Sequence, residues 1–125
     1  MEDISAKKDG EPCCTYIGPA GSGHYVKMVH NGIEYADMQL LAETYLILKY
    51  TEGYTNSEIA DVLEQWNQGD VQSYLVDITV TVLREKDSVT EHDLVDVILD
   101  VAGNKGTGRW TSIEALRQEF NASLL

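Results

Sequence analysis

A helical repeat that persists from about Gly23 to Lys49 sets the architecture of this chain. An element of that length becomes the axis on which the shorter elements of a small domain pack. Val26, Val29 and Ile33 recur at i, i+3 and i+7, and Met28, Met38, Leu41, Tyr45 and Leu48 continue the apolar contacts. Counted from Lys27, His30 lies at i+3, Asn31 at i+4 and Glu34 at i+7, so four polar side chains return to nearly one face. The helix is expected to have two faces. One packs, and the other presents a base, an acid and hydrogen-bonding partners.

Shorter helical patterns follow. Gly53 ends the long one, and Thr55 with Glu58 three residues on reads as a capping box, opening a helix through Ile59, Val62, Leu63 and Trp66. Asn67 to Gly69 stops it. Val71, Leu75, Ile78, Val82 and Leu83 mark a third helix; Val76 to Val82 is rich enough in Val and Thr to be mistaken for a strand, but the i, i+4, i+7 spacing favours helix. Thr90-Glu91-His92-Asp93 opens a fourth, with Leu94, Val97, Ile98 and Val101 on one face, and Thr111 opens a fifth around Ile113 and Leu116. Upstream, Gly18 to Gly23 reads as the loop and N-cap of the long helix, with Ser22 capping. Cys13 to Ile17 reads as a short extended piece, and Met1 to Pro12 as loosely ordered. The expected fold is all-α: one long central helix with shorter, mostly antiparallel helices packed on it.

At 125 residues the chain can bury a core as one domain. Its net charge of -12 and pI near 4.4 argue against nucleic acid and against anionic membrane surfaces, both of which need clustered Lys and Arg. No apolar run is long enough to span a bilayer, and the acidic start is not a signal peptide. Cys13 and Cys14 are adjacent and have no third cysteine to pair with, which suggests a reduced, cytoplasmic protein. A metal site from Cys13, Cys14 and His24 fits no usual zinc spacing, so no metal is expected.

A lysine is a general base only when its pKa is brought toward the working pH, and a carboxylic acid donates near neutrality only when its pKa is raised. Lys27 and Glu34, two turns apart, can sit at opposite ends of one small ligand, with His30 and Asn31 between them. The alternative is an ordinary solvated face. Ala102 to Thr111 packs Gly103, Gly106 and Gly108 around Lys105 and Thr107, with Arg109 following. Glycines admit close approach of backbone amides, and a helix start there suits an anion. The alternative is a flexible loop with an Arg109–Trp110 stack.

These residues together resemble 6-phosphogluconate dehydrogenase (decarboxylating). The run Gly23-His24-Tyr25-Val26-Lys27-Met28-Val29-His30-Asn31-Gly32-Ile33-Glu34-Tyr35 is similar to that family's signature around its lysine. The likeness continues in Asp37 to Leu40, Gln65 to Gly69 and Ala102 to Thr111, and covers about Gly10 to Leu116. Ala36 departs from it, standing where a glycine is usual. The resemblance implies oxidation of 6-phosphogluconate at its 3-hydroxyl with NADP, then decarboxylation to ribulose 5-phosphate in the pentose phosphate pathway. It implies Lys27 as the base, Glu34 as the acid, His30 and Asn31 as ligands of the sugar acid, and Tyr35, Lys105 and Thr107 at the phosphate end. An acidic chain binding such an anion must concentrate its few cations, and Lys27, His30, Lys105 and Arg109 are available.

The sequence holds no Gly-x-Gly-x-x-Gly after a strand. NADP is therefore expected to bind mainly to a dinucleotide-binding domain outside this chain. Residues 1–12 are expected to be a remnant of the join to that domain, and 13–125 a partial helical substrate and dimerisation domain, inactive alone. Apolar helix faces that expect neighbours predict a homodimer or other self-association. Two further readings stay open: a non-catalytic helical interaction module, and a segment of another 3-hydroxyacid dehydrogenase.

Overall fold

A computed structural model describes residues 1–123; residues 124–125, the last of the expected helical domain, lie outside the described residues. The chain is mainly helical, as expected: α1 at Ser22–Leu46, α2 at Asn56–Trp66, α3 at Tyr74–Arg84, α4 at Leu94–Val97 and α5 at Thr107–Arg117. A π turn, Ile47–Thr51, extends α1, and Gly53 at φ +76° then reverses the chain where no β-carbon is tolerated cheaply. The contacts divide the chain into two compact units, residues 1–33 with 106–123, and residues 34–105. Helix α1 runs through both.

The 34–105 unit holds the core. Ile59, Ala60 and Leu63 of α2 meet Val76, Val80 and Leu83 of α3, with Leu41, Tyr45, Leu48 and Val95 packed against them. Full burial of an Ile or Leu side chain contributes about 1.5–3 kcal/mol. The expected stripe on α3 is therefore partly corrected: Ile78 and Val82 face solvent, and Val71 lies in the preceding turn. Ser73 caps α3 by accepting from the Val76 amide, which starts the helix later than Val71 suggests. The strand alternative for 76–82 does not occur. Helix α3 returns along α2, since Arg84 at its end donates to Glu64 and Asp61. The capping box forms as read: Thr55 accepts from the Glu58 amide, and Glu58 accepts from the Thr55 amide at 2.8 Å.

The expected fourth helix shrinks to the single turn α4. Thr90, read as its start, instead turns back, its amide and hydroxyl both donating to Asp87. Asp93 is drawn to Lys86 and to Asn56 and does not cap. Ile98, Leu99 and Val101 consequently continue as exposed, irregular chain rather than as a helical face.

At the centre of this unit Asn56, 1% exposed, uses its whole side-chain amide. Its carbonyl oxygen accepts from the Tyr45 hydroxyl at 3.1 Å and from Lys49 Nζ at 2.8 Å. Its nitrogen donates to Asp93 at 2.7 Å and to Asp96 at 2.8 Å. Burial pushes the Tyr45 hydroxyl above its ordinary pKa.

Several carboxyls are held below their ordinary range: Asp93 by Lys86 first and then Asn56, Asp87 by the Thr90 hydroxyl and amide, Glu58 by the Thr55 amide and hydroxyl. In acid the native state thus holds fewer protons on these groups than the unfolded chain does. Their contribution is complete above the ordinary carboxylate range and is lost as pH falls through the lowered values. The thermal midpoint, followed by circular dichroism, is expected to fall on acidification below that range. A midpoint that rose there would contradict these pairings.

In the other unit, residues 7–12 form a two-stranded antiparallel hairpin, β1 (Lys7–Lys8) with β2 (Glu11–Pro12), joined through Asp9 and Gly10 at positive φ. A 3-10 turn, Glu2–Ile4, precedes it. Residues 13–17, where a short extended piece was expected, form no strand. Ser22 is the first residue of α1, and its hydroxyl donates to the Pro19 carbonyl at 2.6 Å. It does not cap as expected, because the turn at 19–21 places that carbonyl over it.

Candidate active site

The expected packing stripe of α1 is corrected near Lys27. Val26 is 47% and Ile33 52% exposed, and Val29 is half-buried. The buried position there is Gly32. A β-carbon on Gly32 would stand 2.8 Å from Cβ, Cγ2 and Oγ1 of Thr111 on α5, so the two helices meet where the side chain is missing. Thr111, 4% exposed, donates from Oγ1 to the Met28 carbonyl at 2.8 Å, with the Thr107 carbonyl at 3.0 Å. Further along, Gln118 Nε2 donates to the Tyr25 hydroxyl at 2.8 Å.

That arrangement turns the opposite side of α1 outward. Lys27 Nζ lies 3.2 Å from His30 Nδ1, which lies 3.4 Å from Asn31 Oδ1. Nδ1 serves these neighbours differently in its two tautomers. Unprotonated, it accepts from the Lys27 ammonium; protonated, it donates to Asn31 or to a neutral Lys27 amine. The three side chains thus form one contact chain along the turn. Lys27 and His30 are exposed and Asn31 is half-buried.

The other expected site residues stand as follows. Glu34, half-buried, and Tyr35, exposed, follow on α1 within the 34–105 unit. Lys105, exposed, closes the irregular stretch after α4. Thr107, half-buried, is the first residue of α5. Helix α5 starts four positions before the expected Thr111, because buried Gly106 adopts φ +94° and turns the chain directly into it. The Trp110 ring and the Arg109 guanidinium cover Gly106, at 3.5 and 3.6 Å from where a β-carbon would stand. Lys49, Arg84, Lys86 and Arg117 are each paired with carboxylates, and Arg109 is exposed.

Gly32 and Thr111 were missed as packing residues. Gly32 carried a signal, since an interior helical glycine costs about 1 kcal/mol relative to alanine and so points to a close approach. Overpacking costs about 1–3 kcal/mol, and the better helix propensity of alanine returns about 1. Gly32→Ala is therefore expected to lower stability by about 1 kcal/mol in urea denaturation. A stabilised variant would mean that α5 does not bear on Gly32.

Among the described residues, no group of three or more His, Cys, Asp or Glu is placed to hold a metal ion. No described helix is long and apolar enough to cross a membrane.

Residues 23–125 match the family described as 6-phosphogluconate dehydrogenase, C-terminal domain. The chain is 60% identical over 116 residues to the NADP(+)-dependent, decarboxylating 6-phosphogluconate dehydrogenase of Bacillus subtilis, covering 93% of this chain and 25% of that protein. It is 57% identical over 125 residues to the NAD(+)-dependent enzyme of the same organism, covering all of this chain and 27% of that protein. With the decarboxylating enzyme 1 of Saccharomyces cerevisiae the identity is 58% over 116 residues, 93% of this chain and 24% of that one. Among solved structures, Plasmodium falciparum 6-phosphogluconate dehydrogenase, described in apo form, with its cofactor NADP+ and with its substrate 6-phosphogluconate, superposes with a TM-score of 0.92 at 50% identity. The match covers 98% of this chain and 26% of that one. The chain thus spans about a quarter of the length of the relatives it matches.

Proposed function

Since this chain belongs to the 6-phosphogluconate dehydrogenase family, matching its C-terminal domain, we propose that it supplies the proton-transfer and substrate-binding side chains for oxidative decarboxylation of 6-phosphogluconate to ribulose 5-phosphate. The observation that carries this reading is the contact of Lys27, His30 and Asn31 on one exposed turn of α1. A base beside a second proton carrier and an amide suits a hydroxy acid. Lys27, as the neutral amine, takes the proton of the 3-hydroxyl while hydride leaves C3. The product is a β-keto acid, whose carbonyl receives the electron pair as the C1–C2 bond breaks and carbon dioxide departs. Glu34 then protonates C2 of the resulting enediolate, which restores the carbonyl at C3. His30 and Asn31 hold the sugar acid. Tyr35, Lys105 and Thr107 hold the phosphate end.

NADP, when bound, supplies the hydride acceptor. The described residues carry no cradle for it: their only sheet is the β1–β2 hairpin, and no strand–helix–strand unit occurs among them. On this reading the cofactor binds mainly through the part of the relatives' length that this chain does not span. We assign a homodimer on the exposed apolar side chains of α5 and its continuation, Leu116 and Phe120, and a cytoplasmic setting on the free thiols of Cys13 and Cys14.

The test is a calorimetric titration of the chain with 6-phosphogluconate, with gluconate as control and Lys27→Ala as variant. Saturable binding that the variant weakens and gluconate does not reproduce is the expected result. Equal binding of gluconate would overturn the assignment of the phosphate end.

A further inference from the structure

Thr111 is buried where α5 bears on the lysine helix. Its single hydroxyl lies between two carbonyl oxygens, that of Thr107 at 3.0 Å and that of Met28 at 2.8 Å. The first is the ordinary back-bond of a helical threonine to i−4. The second reaches another helix, at the residue next to Lys27. Thr107 is the α5 residue read above as touching the phosphate end. One buried hydroxyl thus spans the backbone of a substrate-binding residue and the backbone beside the base.

The shape of the contact restricts movement further. Cβ, Cγ2 and Oγ1 of Thr111 occupy the space over Gly32, one helical turn beyond Met28. Any slide of α5 by one position along α1 would bring a different side chain onto Gly32 and take the hydroxyl from the Met28 carbonyl. A further tether to the lysine helix, Gln118 to Tyr25, is exposed and lies seven residues after Thr111. It joins the far end of α5, whereas Thr111 lies four residues from Thr107 at the near end.

We infer that Thr111 is a positioning residue. It fixes the register of α5 on α1 and so sets where Thr107 stands relative to Lys27, His30 and Asn31. The inference rests on the functional reading given above. Thr111 touches no substrate in this assignment; it acts through Thr107.

The experiment uses a full-length dehydrogenase in which this chain replaces the matching segment of the Bacillus subtilis NADP(+)-dependent relative. Thr111→Val keeps the buried volume and removes the donor. It is expected to raise KM for 6-phosphogluconate about tenfold, the scale of one lost hydrogen bond. KM for NADP should not move, kcat should stay within about threefold, and the melting temperature should fall by only a few degrees. Thr111→Ser, which restores the hydroxyl, should recover the KM. Gln118→Ala, which releases the distal tether, should leave it unchanged. An unchanged KM in Thr111→Val overturns the inference. So does a loss of kcat and both substrate affinities in step with melting temperature, which marks a merely structural residue. A wild-type chimera that cannot turn over 6-phosphogluconate sinks the functional reading, and this inference with it. A working wild type with an unaffected Thr111→Val sinks the inference alone.

Discussion

Lys27→Met in such a full-length chimera is expected to lower kcat for 6-phosphogluconate oxidation by about 10²- to 10⁴-fold, the usual contribution of a positioned general base. Methionine keeps the length of the side chain and has no proton to exchange. The His30 imidazole, 3.2 Å from Lys27 Nζ, remains but loses its contact with the amine. Charge and basicity can be separated. Lys27→Arg keeps a cation beside an anionic substrate but cannot give up its proton in water. If Lys27 only attracts the substrate, arginine will retain most of the activity and methionine will mainly raise KM. If Lys27 is the base, both variants will lose kcat alike while arginine keeps the better KM. Activity of the arginine variant within about tenfold of wild type would refute the base assignment.

Asn56→Ala is expected to cost about 3 kcal/mol, read as a shift in the urea midpoint, and to lower the melting temperature by roughly 10 °C. The figure follows from the company this amide keeps. All four of its hydrogen-bonding positions are engaged, two by the donors Tyr45 and Lys49 and two by the acceptors Asp93 and Asp96. The orientation of the amide is dictated by that division, since a flip would aim its hydrogens at an ammonium group. Removing it leaves the Asp93 and Asp96 carboxylates without the amide between them, with Lys86 and Lys49 as their cationic partners. Water reaches several of these partners, which keeps the loss well below the sum of four charged hydrogen bonds. Asn56→Asp retains the shape and adds a third carboxylate, so it should be no better than alanine near neutrality and should recover in acid. A variant as stable as wild type would show that the cluster contributes nothing to holding α2 and the 86–96 segment together.

The legibility of this fold in the sequence tracks how local each cause is. The capping box of Thr55 and Glu58 and the stop at Gly53 are settled within a few residues, and both form as read. The long helix was readable because its pattern repeats over many turns. The buried side of that helix was not, because Val26 and Ile33 look apolar enough to pack, whereas the contact is made by a residue with no side chain meeting a threonine far along the chain. The fourth helix is shorter than its sequence pattern for a similar reason. Asp93 has the right type and place to cap it, but Lys86 and Asn56 hold its carboxylate, and no periodicity records that competition. Of the candidate site, the grouping of Lys27, His30 and Asn31 followed from helical spacing alone. Thr107 was named by likeness to a family, and its mounting on Thr111 was visible only in three dimensions.

The π turn at Ile47–Thr51 holds one residue more than an α-helix of the same span needs, with the Glu52 amide reaching back five places to Ile47. It behaves as an insertion stored inside a helix. Loss of a single residue from this stretch would let the backbone close into ordinary α-helical turns without opening a gap in its hydrogen bonding. The chain length of α1 is thus able to drift by one here. What such a deletion would alter is phase: side chains before it would turn by about 100° relative to those after it, and Tyr45 and Lys49 would no longer meet Asn56 together. A relative one residue shorter at this point should therefore have lost the Asn56 cluster as well, the two changes travelling together in descent.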